Sequence, residues 1–307
     1  MPDGISVSDF VADQIQQRLQ RLSSQAKITL RLRDADAVHD LRVAIRRLRQ
    51  TLTTLRAWFD AAKVERIRRR LKDLLKTAGS VRDCDIAIDL LSKSGAQELG
   101  DIGDALHSRR ETAARRMLSA LRGFVRQKKA MRWSAELALI EAPIQYQGKS
   151  WDELARFELP RRAKAFFRLG QRAAKAKASG AGLHQLRIEI KKLRYTLEMF
   201  RSTYPPTVEA RIESLHEFQM TLGKITDLRT VRKLVNDLDG GDKLAAMLRK
   251  KQRKRMGAFR SYWETQFPPN QREEWMWFLR QPVRKPVMRS GSAIVSKGED
   301  APRARQM

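Results

Sequence analysis

Ten side chains fall into two matching rows. His39, Arg42, Arg46, Arg49 and Arg56 are spaced three, four, three and seven apart, and His184, Arg187, Lys191, Arg194 and Arg201 repeat that spacing. On an α-helix, residues three and four apart share a face, about 5–6 Å from one another. Each row is therefore a line of cations led by a histidine. Arginine offers forked donors that fit phosphate oxygens, and lysine offers a point charge. A solvated helix face mixes signs, because opposite charges one turn apart help and like charges cost. The first row contains no acid. It predicts an anion site, and two such rows suit a linear ligand with regularly repeated negative charge.

Composition points the same way. The chain has 307 residues, with 63 Lys plus Arg against 35 Asp plus Glu, for a net charge of +28. Self-repulsion of that size calls for a polyanionic partner: nucleic acid, an anionic membrane or a phosphate polymer. Nucleic acid is the rival reading. Against it, the rows lack interleaved aromatics for base stacking. Trp58, Trp133, Trp151, Trp263, Trp275 and Trp277 sit mostly at helix ends or apolar faces and read as packing. A further basic cluster, LRKKQRKRMGAFR from Leu248 to Arg260, suits phosphates of either polymer or a solvated face.

Machinery for covalent chemistry is missing from the sequence. His39-Asp40 hints at a metal phosphohydrolase, but that needs more ligands than His39, His107, His184 and His216 supply, and Gln185 stands where Asp40 stood. A histidine phosphotransfer domain would show a partner-docking face rather than charge along the whole chain. No Gly-rich phosphate loop, cysteine cluster or Ser-His-Asp arrangement is found. The expectation is a binding module, not an enzyme, with no cofactor and no metal. Cys84 is the only cysteine and reads as packing at a helix start, so no intrachain disulfide forms. The N-terminus lacks a secretory pattern and no stretch is apolar enough to span a membrane. A cytoplasmic protein is expected.

The elements that position the rows are helices. HDLRVAIRRLRQTLTTLR from His39 and HQLRIEIKKLRYTLEMFR from His184 align without a gap, and Leu71, Gly79, Asp83 and Leu90 correspond to Leu215, Gly223, Asp227 and Leu234. The fixed offset marks an internal duplication. Leu41, Ile45, Leu48, Leu52, Leu55 and Phe59 form an apolar stripe, matched by Leu186, Ile190, Leu193, Leu197, Phe200 and Tyr204. Each cation row lies about a quarter-turn away, beside the core edge. Arg47 points elsewhere and reads as solvated. The periodicity predicts helices at about 8–32, 34–59, 62–78, 81–93 and 103–128, with Gly79 as a terminus and 129–150 as a connector. The second half reads as 152–178, a motif helix to Tyr204, 207–222, 226–238, 242–264 and 270–280. Short loops between long helices predict an all-α fold of two antiparallel four-helix bundles related by pseudo-two-fold symmetry. The boundaries are 1–145 and 146–284, with a basic, disordered tail at 285–307.

VHDLRVAIRRLR with LKDLLKTAGSVRDCD, and LHQLRIEIKKLRYTLEMF with LHEFQMTLGKITDLR, resemble the CHAD family of conserved histidine α-helical domains over about residues 6–280. The resemblance implies paired four-helix bundles whose basic central surface binds inorganic polyphosphate, with association to polyphosphate granules. The family's basic positions carry over onto His39, Arg42, Arg46, Arg49, His184, Arg187, Lys191 and Arg194. The triphosphate tunnel enzymes often found beside this domain need a Glu-x-Glu-x-Lys strand, which this chain lacks. ITDLR departs from the fuller VRDCD, so Asp83 and Asp227 are left between two roles, helix cap or arginine orienter.

Overall fold

The computed structural model of the protein describes residues 7–93, 100–138, 150–175, 180–238 and 241–282. Among them are ten α-helices and no strand. The first half holds α1 (Val7–Leu32), α2 (Ala35–Thr54), α3 (Ala61–Ser92), α4 (Gly100–Arg126) and α5 (Lys129–Glu136). The second holds α6 (Trp151–Ala174), α7 (Gly180–Met199), α8 (Val208–Asn236), α9 (Asp242–Gln266) and α10 (Pro269–Leu279). The expected tail lies outside the described residues. No described helix is long and apolar enough to cross a membrane.

The apolar stripes become the core as their period requires. Leu41, Ile45, Leu48, Leu52 and Leu55 of the first copy are buried, as are Leu186, Ile190, Leu193, Leu197 and Phe200 of the second. A tight corner launches α2. Arg33 adopts the left-handed region at φ 58°, and Asp34 then caps the helix by accepting from the Ala37 amide at 2.7 Å. Within the first half α1 packs on α2, α2 on α3, α3 on α4 and α4 on α1; α6 to α9 repeat that ring of contacts. Between the halves, α2 lies against α7 and α3 against α8.

The seam between α2 and α7 is closed by polar contacts. Gln50 donates to the Thr196 hydroxyl at 3.2 Å, both buried. Arg47 pairs with Glu198 at 2.9 Å, so it is a cross-half tie and not a solvated charge. One apolar cluster runs through both halves, from Val11 and Leu41 to Leu193 and Phe278. A second joins Ala87, Ile102 and Leu106 to Leu228, Val231 and Leu248. The halves are thus fastened together on two sides.

Several expected boundaries are corrected. The helices expected at 62–78 and 81–93 are one helix, α3, and those at 207–222 and 226–238 are one helix, α8. Gly79 and Gly223 are therefore interior residues and not termini. Cys84 is likewise buried inside α3 rather than at a helix start. The connector carries a short helix, α5. Both motif helices stop early, at Thr54 and Met199, and the chain then makes 3-10 turns at Arg56–Trp58 and Arg201–Thr203.

Candidate anion-binding site

The quarter-turn between stripe and row sets the cations of α2 and α7 at the edge of the core, where the two helices meet. Arg42 and Arg46 of α2 and Arg187 and Lys191 of α7 converge there, all only partly exposed. α3 and α8 close the group with Arg82, Asp83 and Asp227. A cavity of about 490 Å³ opens between α2, α3 and α7, lined by Arg46, Arg49, Arg68, His184, Arg187 and Lys191.

Crowding and dryness set the electrostatics. Burial, then Arg46 and Arg187, push Arg42 down to about 10. Arg46 is lowered by burial, against the pull of Tyr195, with Arg187 adding to the lowering. Burial lowers Lys191 furthest, to about 5, and Arg187, Arg46 and Arg42 add to it. Arg49 is lowered by burial and by Arg68. Burial also raises Asp83 and Asp227 above the usual carboxylate range, although Arg42 and Arg187 oppose it. The cations repel one another across the seam and the two carboxylates only partly offset them. A bound anion would supply the missing negative charge.

Hydrogen bonding leaves donors over. Arg42 donates to the Leu75 carbonyl at 3.2 Å. Arg187 stands 4.0 Å from Asp227, a loose pairing. The Nε groups of Arg49 and Arg187 are buried without a partner among the described residues, which is costly unless a ligand engages them. Since Asp83 and Asp227 lie inside α3 and α8, they do not cap helices; each instead offsets the charge of nearby arginines, Asp83 that of Arg42 and Asp227 that of Arg187.

Gly79 was invisible as a site residue. A Cβ there would stand 2.8 Å from Nη1 of Arg42, closer than side-chain atoms approach. Its absence lets the guanidinium lie on the α3 backbone. Gly223, its counterpart in α8, leaves 3.9 Å to Arg187. The available signal was a Gly-x-x-x-Asp pattern at 79–83 and again at 223–227, inside strongly helical sequence. Arg68, which lines the cavity from α3, was also missed, because it lies outside the duplicated rows.

The expected residues divide as follows. Arg42, Arg46, Arg187 and Lys191 come together, with Arg49 and His184 on the cavity wall. His39 stands at an exposed edge, and partial desolvation followed by Arg82 lowers its pKa. Arg194 is only 9% exposed, pairs with Glu198 at 3.2 Å and lies over the Tyr195 ring at 4.9 Å. Arg56 and Arg201 sit on the 3-10 turns, exposed, and Arg201 is paired with Glu209. In α9 the Leu248–Arg260 cluster buries Leu248 and Phe259 and exposes Lys250, Lys251, Arg253 and Lys254.

A family model, the CHAD domain, matches residues 13–236. Among solved structures, the CHAD domain from the plant Ricinus communis superposes with a TM-score of 0.60 at 20% identity, covering 90% of this chain and 93% of that one. PptA from Streptomyces chartreusis superposes with a TM-score of 0.63 at 17% identity, covering 86% of this chain and 99% of that one. At these identities the likeness is one of fold. No curated protein matches the sequence.

Proposed function

This chain belongs to the CHAD domain family, and from that premise we propose that it binds inorganic polyphosphate, without turning it over, on one basic surface shared by its two halves. The observation that carries the reading is the meeting of Arg42, Arg46, Arg187 and Lys191 at the α2–α7 seam, where burial and mutual repulsion leave the cations short of negative charge. Polyphosphate supplies that charge at every phosphorus and needs no base-reading groups. The surface combines arginine forks with one lysine, so it grips oxygens in several directions. The 1–145 and 146–284 segments act as paired halves of one binding unit, and the cytoplasmic protein is carried to polyphosphate granules by this affinity.

Competition tests the reading directly. Labelled long-chain polyphosphate is bound to the full-length protein at physiological salt and challenged with RNA, DNA and short phosphates. The expected order places long polyphosphate first, with affinity falling steeply as salt rises through counterion release. Nucleic-acid backbone binding is the competing outcome. RNA competing as well as polyphosphate at matched charge would give the surface to nucleic acid instead.

A further inference from the structure

Outside the central site, one surface breaks the packing pattern of the tryptophans, and α6 carries an exposed ring of its own, Phe157. Trp58, Trp133, Trp151, Trp263 and Trp275 are buried, whereas Trp277 is 65% exposed. The spacing within α10 explains the difference. Trp275, Phe278 and Leu279 turn toward α6 and the core, and Trp277 is left exposed with Arg272, Glu273, Glu274 and Arg280, of which Glu274 lies outside the groove wall. Leaving so large an apolar ring in water forgoes the stabilisation that burial gives its neighbours.

Trp277 stands in a groove and not on a bare surface. A cavity of about 760 Å³ lies between α6 and α10, with Lys164, Arg272, Met276, Trp277 and Arg280 on its walls. On α6, Lys164 and the neutral Gln171 face the groove, and Arg168, exposed one turn after Lys164, adds a cation beside it. Glu273 is the one acid on the wall. Lys164, Arg168, Arg272 and Arg280 form no ion pair with a described residue. By contrast, Arg161 of the same helix is occupied by Glu158 at 2.9 Å. The groove is also separate from the basic seam: α10 packs on α6, while the seam is built from α2, α3, α7 and α8.

We propose that the groove between α6 and α10 is a second, independent site for single-stranded nucleic acid, with Trp277 stacking a base and Lys164, Arg272 and Arg280 holding the flanking phosphates. A flat aromatic face beside a trough of free cations is the arrangement that non-specific single-strand binders use. An acidic peptide would satisfy the cations and has no need of the ring face. A lipid surface calls for a continuous apolar patch, whereas the two exposed rings, Trp277 on α10 and Phe157 two turns before Lys164 on α6, are each flanked by exposed arginines or lysines. The central seam has the opposite character, since its aromatic residue Tyr195 is buried. The two sites thus divide polyanions by chemistry: a bare phosphate chain at the seam, phosphates bearing bases at the groove.

Trp277 is its own reporter, being the exposed member of the six tryptophans. The full-length protein is titrated with oligo(dA), with an abasic phosphodiester of equal length, with long-chain polyphosphate and with vesicles of phosphatidylcholine and phosphatidylserine. Oligo(dA) is expected to quench the exposed emission. Trp277→Ala should abolish the quench and weaken oligo(dA) binding roughly five- to hundredfold, the range for loss of one stacked base. Arg272→Glu with Arg280→Glu should weaken it too, and both variants should keep wild-type polyphosphate affinity. The proposal is overturned if the abasic strand binds as tightly as oligo(dA), if Trp277→Ala leaves oligo(dA) affinity unchanged, or if vesicles alone shift the Trp277 emission. Polyphosphate affinity is read in the same series, so failure of the seam and failure of the groove are separately visible.

Discussion

Lys191 is the most perturbed cation of the seam. Its ordinary value of 10.5 falls to about 5, through burial first and then Arg187, Arg46 and Arg42. Between those values the unfolded chain carries a proton on Lys191 that the free folded site does not. The contribution of this group to stability therefore rises with pH across that window. A phosphate chain bound as proposed should reverse the local balance and return the proton. Binding should take up about one proton at neutral pH, and affinity should fall as pH rises within the window. Lys191→Met keeps the stem and removes the titration. It should bind more weakly, lose the pH dependence and leave the thermal midpoint unchanged or raised. Calorimetry in buffers of different ionisation enthalpy measures the uptake. Uptake that persists in Lys191→Met and disappears in His39→Ala would assign the proton to the histidine, whose pKa is also lowered.

α3 and α8 each tolerate an interior glycine, at a cost of about 1 kcal/mol relative to alanine. In α3 the space is used, because Arg42 lies where a methyl group would be. Gly79→Ala should push the guanidinium off the Leu75 carbonyl and weaken polyphosphate binding several-fold while helicity is kept. Gly223→Ala meets only ordinary contact with Arg187. It should raise stability by about 1 kcal/mol and leave binding alone. Thermal midpoints and affinities of the two variants, taken together, separate positioning from propensity. These elements also show what could be read from residues in order. The apolar stripe Leu41–Leu55 was legible because helix period alone decides which face is buried. The run through Gly79 was not, since glycine usually ends helices and its reason for staying is an arginine distant in sequence. Arg49 and Arg194 look alike in the two rows. Yet Glu198, where the first copy has Thr53, captures Arg194 one turn away. Arg56 and Arg201 left the rows because each motif helix stops before reaching them.

Across the whole molecule, the net charge of +28 opposes compactness, and the seam concentrates that opposition between the halves. A polyanion there should stabilise the fold, by about 2.7 kcal/mol at a hundred times its Kd. A single shared surface makes a sharp prediction. Arg42→Glu with Arg46→Glu, or Arg187→Glu with Lys191→Glu, should each weaken long-chain binding roughly a hundredfold or more, since two charge-assisted contacts are lost. Short phosphates should suffer less, because they need fewer of the four cations. Two independent surfaces would instead leave half the stoichiometry at unchanged affinity in each double variant, which titration calorimetry would reveal.

The apolar cluster that passes from α1 through α7 to α10 without a break means that neither half is a finished object. Residues 7–138 and 150–282, made as two polypeptides, would each carry an unsatisfied apolar face. Each would also carry half of the cation rows, so their charges would hold them apart. Polyphosphate would cancel that repulsion by bridging the two rows, acting as a template for the assembly of a heterodimer. Chain length would then become a matter of reach: a polymer too short to touch both pieces could neutralise either one and still fail to join them.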